Sequence, residues 1–363
     1  MRLINLRRFR GPLLLLAVLL VFWGFGLVRV TAAVSYAESE VLSGPWGAGS
    51  LEFGRGPDVV GRLQGPCGFD VDARGSVVVA DTANRRVLRF DAKGEPYAGW
   101  QAGAAAGVPA TAVVFDGKGQ VHVADTARAL VMCLDARGAE TARVDLAADD
   151  AVTGGWILCD LAGHPEAGFY ALLAAWPPGE GLVRVVRYDP GARRITEVVR
   201  YVLAADAAGP LQADDGLAVL PADLCTGSRG SLALSFRGGP FVVRLEVISA
   251  QGAALWAREI SRESMIRRAV LLGGDSRGRF YVALDYGQAA EVLAVAASGD
   301  PVLVATVPPF RAPPAPGDAV PYTLSPGKVD EQGRLYLVVN TEARFRLLRL
   351  VPRALPGLKW WFR

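Results

Sequence analysis

Residues 66–94 run as a strand, a glycine turn, a second strand, a polar turn, a third strand and another glycine turn. Phe69-Asp70-Val71 leads into the turn at Gly75. Val77-Val78-Val79-Ala80 is apolar without a break, as expected of a strand covered on both faces. Asp81-Thr82-Ala83-Asn84 turns the chain, and Arg86 to Phe90 alternates before the turn at Gly94. The pattern then returns. Gly75 recurs as Gly119, Asp81 as Asp125, Asp91 as Asp135 and Gly94 as Gly138, each 44 residues on. A period in this range belongs to stacked units, none of which buries its apolar faces alone.

Weaker copies follow at Phe169–Leu173, Leu232–Phe236, Phe280–Ala283 and Leu335–Val338, each preceded by a glycine turn. The turn glycines 75, 119, 168, 230, 278 and 333 are separated by 44, 49, 62, 48 and 55 residues. Glycine suits such turns because it takes positive φ at no steric cost. The wide gaps place insertions at 190–228 and in the proline-rich 308–316, and long loops on a rigid ring are common binding elements. The pattern predicts an all-β ring of blade-like sheets over residues 65–363. Residues 38–64, glycine-rich around Leu51-Glu52-Phe53, read as a linker able to supply a closing strand, since an unclosed blade leaves unpaired N–H and C=O groups. Leu358–Arg363 is the other candidate for the outer strand of the last blade.

Val78-Val79-Ala80-Asp81-Thr82-Ala83-Asn84-Arg85-Arg86-Val87-Leu88-Arg89-Phe90 resembles the core of an NHL repeat. In that family an apolar triplet precedes Ala-Asp-Thr, a small residue, Asn, a variable residue and Arg. Val123-Ala124-Asp125-Thr126-Ala127 keeps the front half, and Arg128, Ala129 and Leu130 stand where Asn84, Arg85 and Arg86 stood. The resemblance implies a six-bladed β-propeller and a blade-supporting role for Arg86. It does not imply one activity, because a fold hosts many.

The 39 basic and 36 acidic residues leave a net charge of +3, which gives no support to a nucleic-acid surface. Hydrophobic residues make up 51%, enough to build a core. Cys67, Cys133, Cys159 and Cys225 form no Cys-x-x-Cys motif, and small buried thiols are preferred over disulfides. His122 and His164 are the only histidines, too few for the zinc site of the amidating-lyase relatives of the NHL family.

Arg2, Arg7, Arg8 and Arg10 precede an uncharged stretch of 18 residues from Gly11 to Val28, with Arg29 after it. That length is about the minimum for a membrane-spanning helix. Leu13, Leu16 and Leu20 supply its apolar body, and Trp23 and Phe25 suit the membrane interface. Residues 1–37 therefore read as a cytoplasmic basic stub with a transmembrane anchor, or as a cleaved signal peptide. Either reading places residues 65–363 outside the cytoplasm.

Asp81 and Asp125 hold one position in adjacent blades, with Asn84, Arg85 and Arg128 on the turns beside them. These five are the candidate binding residues. The competing reading is that each carboxylate accepts turn amides of its own blade. Calcium remains open as a ligand, although it needs six or more oxygens and the later blades carry Ala174, Phe236, Leu284 and Val339 at the aligned place. Arg258, Arg262, Arg267 and Arg268 surround Ile260, Met265 and Ile266 in a segment of helical character. No nucleophile elbow, phosphate loop or His-Glu-x-x-His is present. Asp149-Asp150 and Asp214-Asp215 are adjacent acids without an assigned role. The function expected is therefore a membrane-anchored propeller that binds a protein or cell-envelope component and is not an enzyme. The alternative is a metal-dependent lactonase- or lyase-like enzyme.

Overall fold

The structure, a computed structural model, describes residues 36–57, 61–97, 110–147, 155–175, 182–202, 223–227, 230–237, 240–307, 320 and 326–352. Contacts divide the chain into one unit of Glu38–Val351 and another of Met1–Ala37 with Pro352–Arg363. The blades belong to the first.

Each repeat folds as an antiparallel meander whose first strand lies innermost. Blade one has Gly68–Val71, Val77–Asp81 and Arg86–Phe90. Blade two has Ala112–Phe115, Val121–Asp125, Leu130–Leu134 and Glu140–Asp145. Blade three has Trp156–Gly163, Phe169–Ala175, Leu182–Asp189 and Arg194–Val202. Blade four has Leu224–Thr226, Leu232–Arg237, Val242–Ile248 and Ala254–Ser261. Blade five has Arg268–Gly274, Phe280–Asp285, Ala290–Val295 and Val302–Val307. Blade six has Gly327–Val329, Leu335–Val338 and Arg344–Pro352, with Tyr36–Pro45 on its outside. The result is an all-β, six-bladed propeller.

Why these segments form these strands follows from burial. The second strands of blades one, two, three and five are buried at every residue, because each is covered by a neighbouring blade on both faces. The outer strands Glu140–Asp145 and Ala254–Ser261 alternate toward solvent. Between blades one and two the packing is Val78, Ala80 and Val87 against Val113, Phe115, Val121 and Val123. Burial of each such valine or phenylalanine side chain contributes about 1.5–3 kcal/mol.

The turns carry their own chemistry. Asp72 Oδ1 accepts the amides of Arg74 and Ser76 at 2.9 and 2.7 Å. Asp116, Asp275 and Asp330 repeat this two- and four-residue pattern. The glycine three residues after each has positive φ, as do Gly168 and Gly230, so all six predicted turn glycines are left-handed.

Closure comes from the N-terminal side. The outer place in blade six, for which Leu358–Arg363 was a candidate, is taken by Tyr36–Pro45, and Arg346 Nε pairs with Glu40 Oε2 at 2.7 Å. Phe53 then wedges between blades six and one, 4.4 Å from the Phe345 ring and 6.1 Å from that of Phe90.

The helical character expected around Arg258–Arg268 is corrected. Arg258 lies on an outer strand, and Arg268 begins the inner strand of blade five, because cross-strand pairing to Leu245 and Asp285 overrides the local periodicity. Leu13, Leu16, Leu20, Trp23 and Phe25 lie outside the described residues, as do Asp149, Asp150, Asp214, Asp215 and Leu358–Arg363. Among the described residues no helix is long and apolar enough to cross a membrane. All four cysteines are free thiols.

Candidate functional site

The six inner strands place one residue each at a common level around the ring's axis. Asp70, Val114, Ala162, Cys225, Gly273 and Lys328 pair with Val78, His122, Tyr170, Ala233, Tyr281 and Tyr336 on their second strands. All six line a cavity of about 520 Å³ that opens on the face of the Gly75 and Gly119 turns, here the lower face. Only two carry charge. Asp70 and Lys328, from blades one and six, form an ion pair at 4.0 Å.

The level above holds Gly68, Ala112, Asp160, Asp223 and Leu271, which line a second cavity of about 270 Å³ together with Arg268. Lys328 borders both cavities and so marks the waist of the channel. Asp160 reaches the axis through a bulge between Leu158 and Asp160. Such a bulge re-aims a side chain by inserting one residue into the ladder.

Each channel carboxylate also fastens its blade to the next. Asp70 Oδ2 accepts the Phe115 amide at 2.8 Å, Asp160 Oδ2 that of Leu224 at 2.8 Å, and Asp223 Oδ2 that of Leu271 at 3.2 Å. One oxygen of each is thus a structural acceptor, and the other oxygen of Asp160, Oδ1, accepts the Leu161 amide at 2.8 Å.

Burial raises the Asp70 and Asp160 carboxyls above the usual range, against the pull of Lys328. Burial, followed by the charge of Asp160, pushes Asp223 up to about 7. Burial opposes the Lys328 charge, but Asp70 and Asp160 outweigh it and hold the ammonium above its ordinary value. Burial lowers Arg268 against the attraction of Asp223 and Asp285. Burial raises the Cys225 thiol and takes Cys159 up to about 12, which removes both as nucleophiles near neutrality.

A carboxyl that exchanges its proton near neutrality, beside a second carboxyl and a fixed cation, is equipped for general acid–base work. A resident metal does not fit these residues. Among the described residues no three His, Cys, Asp or Glu groups come together as a ligand set. The three channel acids are divided between two levels, and an ammonium acts on all of them.

The residues singled out in the sequence lie elsewhere. Asp81 is fully buried. Its Oδ1 accepts the Gly54 amide at 2.7 Å, and its Oδ2 takes Asn84 Nδ2 at 2.9 Å and Arg86 Nε at 2.8 Å. Asn84 reaches the Gly47 carbonyl, and Arg86 those of Ala48, Gly49 and Glu52, so this group clamps residues 47–54 onto blade one. Arg85 is exposed with φ of 52°. Asp125 is buried, accepts the Arg128 amide at 3.3 Å and faces the exposed Arg128 guanidinium at 3.5 Å. Asp81 thus holds residues 47–54 on blade one, and Asp125 holds the turn that follows it. The channel acids escaped sequence reading, although a lone Asp in an apolar inner strand (Phe69-Asp70-Val71, Cys159-Asp160-Leu161, Asp223-Leu224-Cys225) was the available signal.

No family profile and no curated protein sequence matches the chain. Among solved structures, the chain is similar to a gluconolactonase from Xanthomonas campestris, at 14% identity over 87% of this chain and 99% of that one, with a TM-score of 0.49. It is similar to virginiamycin B lyase from Staphylococcus aureus at 11% identity, over 87% and 100% of the two chains, with a TM-score of 0.49. A luciferin-regenerating enzyme gives 11% identity, 87% and 95% coverage and a TM-score of 0.49. These names are those of enzymes, whereas the sequence reading expected a binding scaffold that is not one. At such identity the likeness is one of fold, and the chemistry is sought in the channel's own residues.

Proposed function

We propose that the chain is a lactonase- or lyase-like enzyme that works by carboxyl acid–base chemistry in its central channel. The observation that carries this reading is the Asp160–Asp223 pair beside Lys328. Two half-buried carboxyls that feel each other's charge do not both ionise easily, so one proton is available for transfer near neutral pH. Asp223, when ionised, takes the proton of an attacking water, or of an acidic C–H next to a carbonyl. The Lys328 ammonium stabilises negative charge as it develops on the carbonyl oxygen. In the hydrolytic case the water oxygen bonds to the carbonyl carbon, the ring C–O bond breaks, and the proton held by Asp223 passes to the departing alkoxide.

The test is turnover of a panel of sugar-acid lactones by the full chain, followed as acid release between pH 5 and 9. The rate is expected to rise as pH passes about 7, where Asp223 ionises. Lys328→Met should lower kcat by about 10²–10³-fold, and Asp223→Asn should abolish the rise with pH. EDTA should leave the rate unchanged. A rate indifferent to Asp223→Asn and Lys328→Met, or one lost to the chelator, refutes the reading.

The finer readings from the sequence stand beside this as proposals. Residues 78–90 support NHL ancestry, and residues 11–28 support placement of the propeller outside the cytoplasm. A reporter fused after Arg363 and active only in the cytosol overturns the latter.

A further inference from the structure

We infer that the lower cavity is a binding site for a small organic anion, anchored by Arg89. Arg89 lies on the strand Arg86–Phe90, is 9% exposed and lines the cavity of about 520 Å³. Its guanidinium carbon stands 4.8 Å from the centre of the Tyr97 ring and 5.2 Å from that of Phe115. Nε and Nη1 are buried without a hydrogen-bond partner, and among the described residues Arg89 belongs to no ion pair.

A guanidinium retains its charge on burial, and leaving that charge unpaired is among the costlier arrangements in a protein interior. The two ring faces offset part of the lost hydration. A carboxylate or phosphate would offset far more, through charge-assisted hydrogen bonds.

The acids on the same cavity wall are already engaged. Asp72, Asp116 and Asp330 accept turn amides. Asp70 is divided between the Phe115 amide and Lys328. Glu331 is exposed. The cavity therefore presents a buried cation that no carboxylate contacts among the described residues, and it has the volume of a small-molecule site. A ligand held at Arg89 by its anionic end has the ammonium of Lys328 ahead of it, at the entrance to the upper cavity. The inference stands apart from the chemistry proposed above, because binding alone decides it.

Calorimetric titration of the full chain with gluconate, glucose 6-phosphate and glucose provides the test. One or both anions should bind while neutral glucose does not, and the stronger of the two tells carboxylate from phosphate. Arg89→Met should weaken anion binding at least tenfold, with Arg89→Lys between the two. Without ligand, Arg89→Met should melt at the wild-type temperature or above it, because it removes an unpaired buried charge. The anion should raise the melting temperature of the wild type and not that of the variant. The inference is overturned if neither anion binds better than glucose, or if Arg89→Met binds as the wild type does. It is equally overturned if Arg89→Met melts far lower and Arg89→Lys restores stability, since the guanidinium would then serve the fold.

Discussion

Asp223→Asn keeps an oxygen for the Leu271 amide and removes the ionisable proton, so it isolates the cost of the buried charge. In the folded chain the Asp223 carboxyl is pushed up to about 7 from an ordinary 3.8. A carboxyl raised on folding contributes stability that is complete below the ordinary value and is lost as pH climbs to the raised one. Each pH unit between the two is worth about 1.4 kcal/mol, so the whole interval amounts to about 4 kcal/mol. Asp160 shares the proton and the channel admits some water, which brings the expected effect to about 2–4 kcal/mol. The assay is urea unfolding of wild type and variant at pH 4, 5, 6, 7 and 8. The variant should match the wild type near pH 4 and then gain on it steadily, with the advantage levelling off above about pH 7. A constant difference across this range, or one that grows in favour of the wild type, shows that Asp223 is not a raised carboxyl and removes the basis of the acid–base proposal.

Arg86→Met strips the 2.8 Å ion pair from fully buried Asp81 and three carbonyl contacts from residues 48–52. A loss of about 3–5 kcal/mol is expected, seen as a lower urea midpoint with early protease cleavage between residues 47 and 54; an unchanged midpoint contradicts the clamp. Gly163→Ala would bring a Cβ to 1.7 Å from the Phe115 carbonyl oxygen, whereas at Gly68 the nearest atom stands 3.5 Å away. The first substitution should cost about 1–3 kcal/mol and the second well under 1 kcal/mol, and thermal melts that rank them the other way disprove the spacing between blades two and three. The Cys133 and Cys159 thiols are both held up to about 12, chiefly by burial, and Cys225 is raised by burial as well. Thiol titration at pH 8 should label these three slowly in the folded chain and fast in urea, and prompt labelling of the native protein counts against their burial.

Much of the fold was legible because it is local. Val77–Ala80 and Phe169–Leu173 are apolar at successive positions, and a strand covered on both faces demands that. The positive φ at Gly75 and its five counterparts is set within a few residues by a turn that tolerates no Cβ clash. Asp81 drew attention because its repeat is conspicuous, yet its carboxylate is consumed by Gly54, Asn84 and Arg86. A polar residue repeated in identical units most often maintains the unit.

What the sequence by itself determined is thus the repeating blade, its turns and the number of units. The tertiary structure alone decided that Tyr36–Pro45 closes the ring, and that Asp70, Asp160, Asp223 and Lys328 converge on one channel. The physical reason is register. A strand's side chains alternate between faces, and one inserted residue, as at the Leu158/Asp160 bulge, changes which of them meets the axis. Charges that lie one to a blade, far apart along the chain, become neighbours only when the ring is closed.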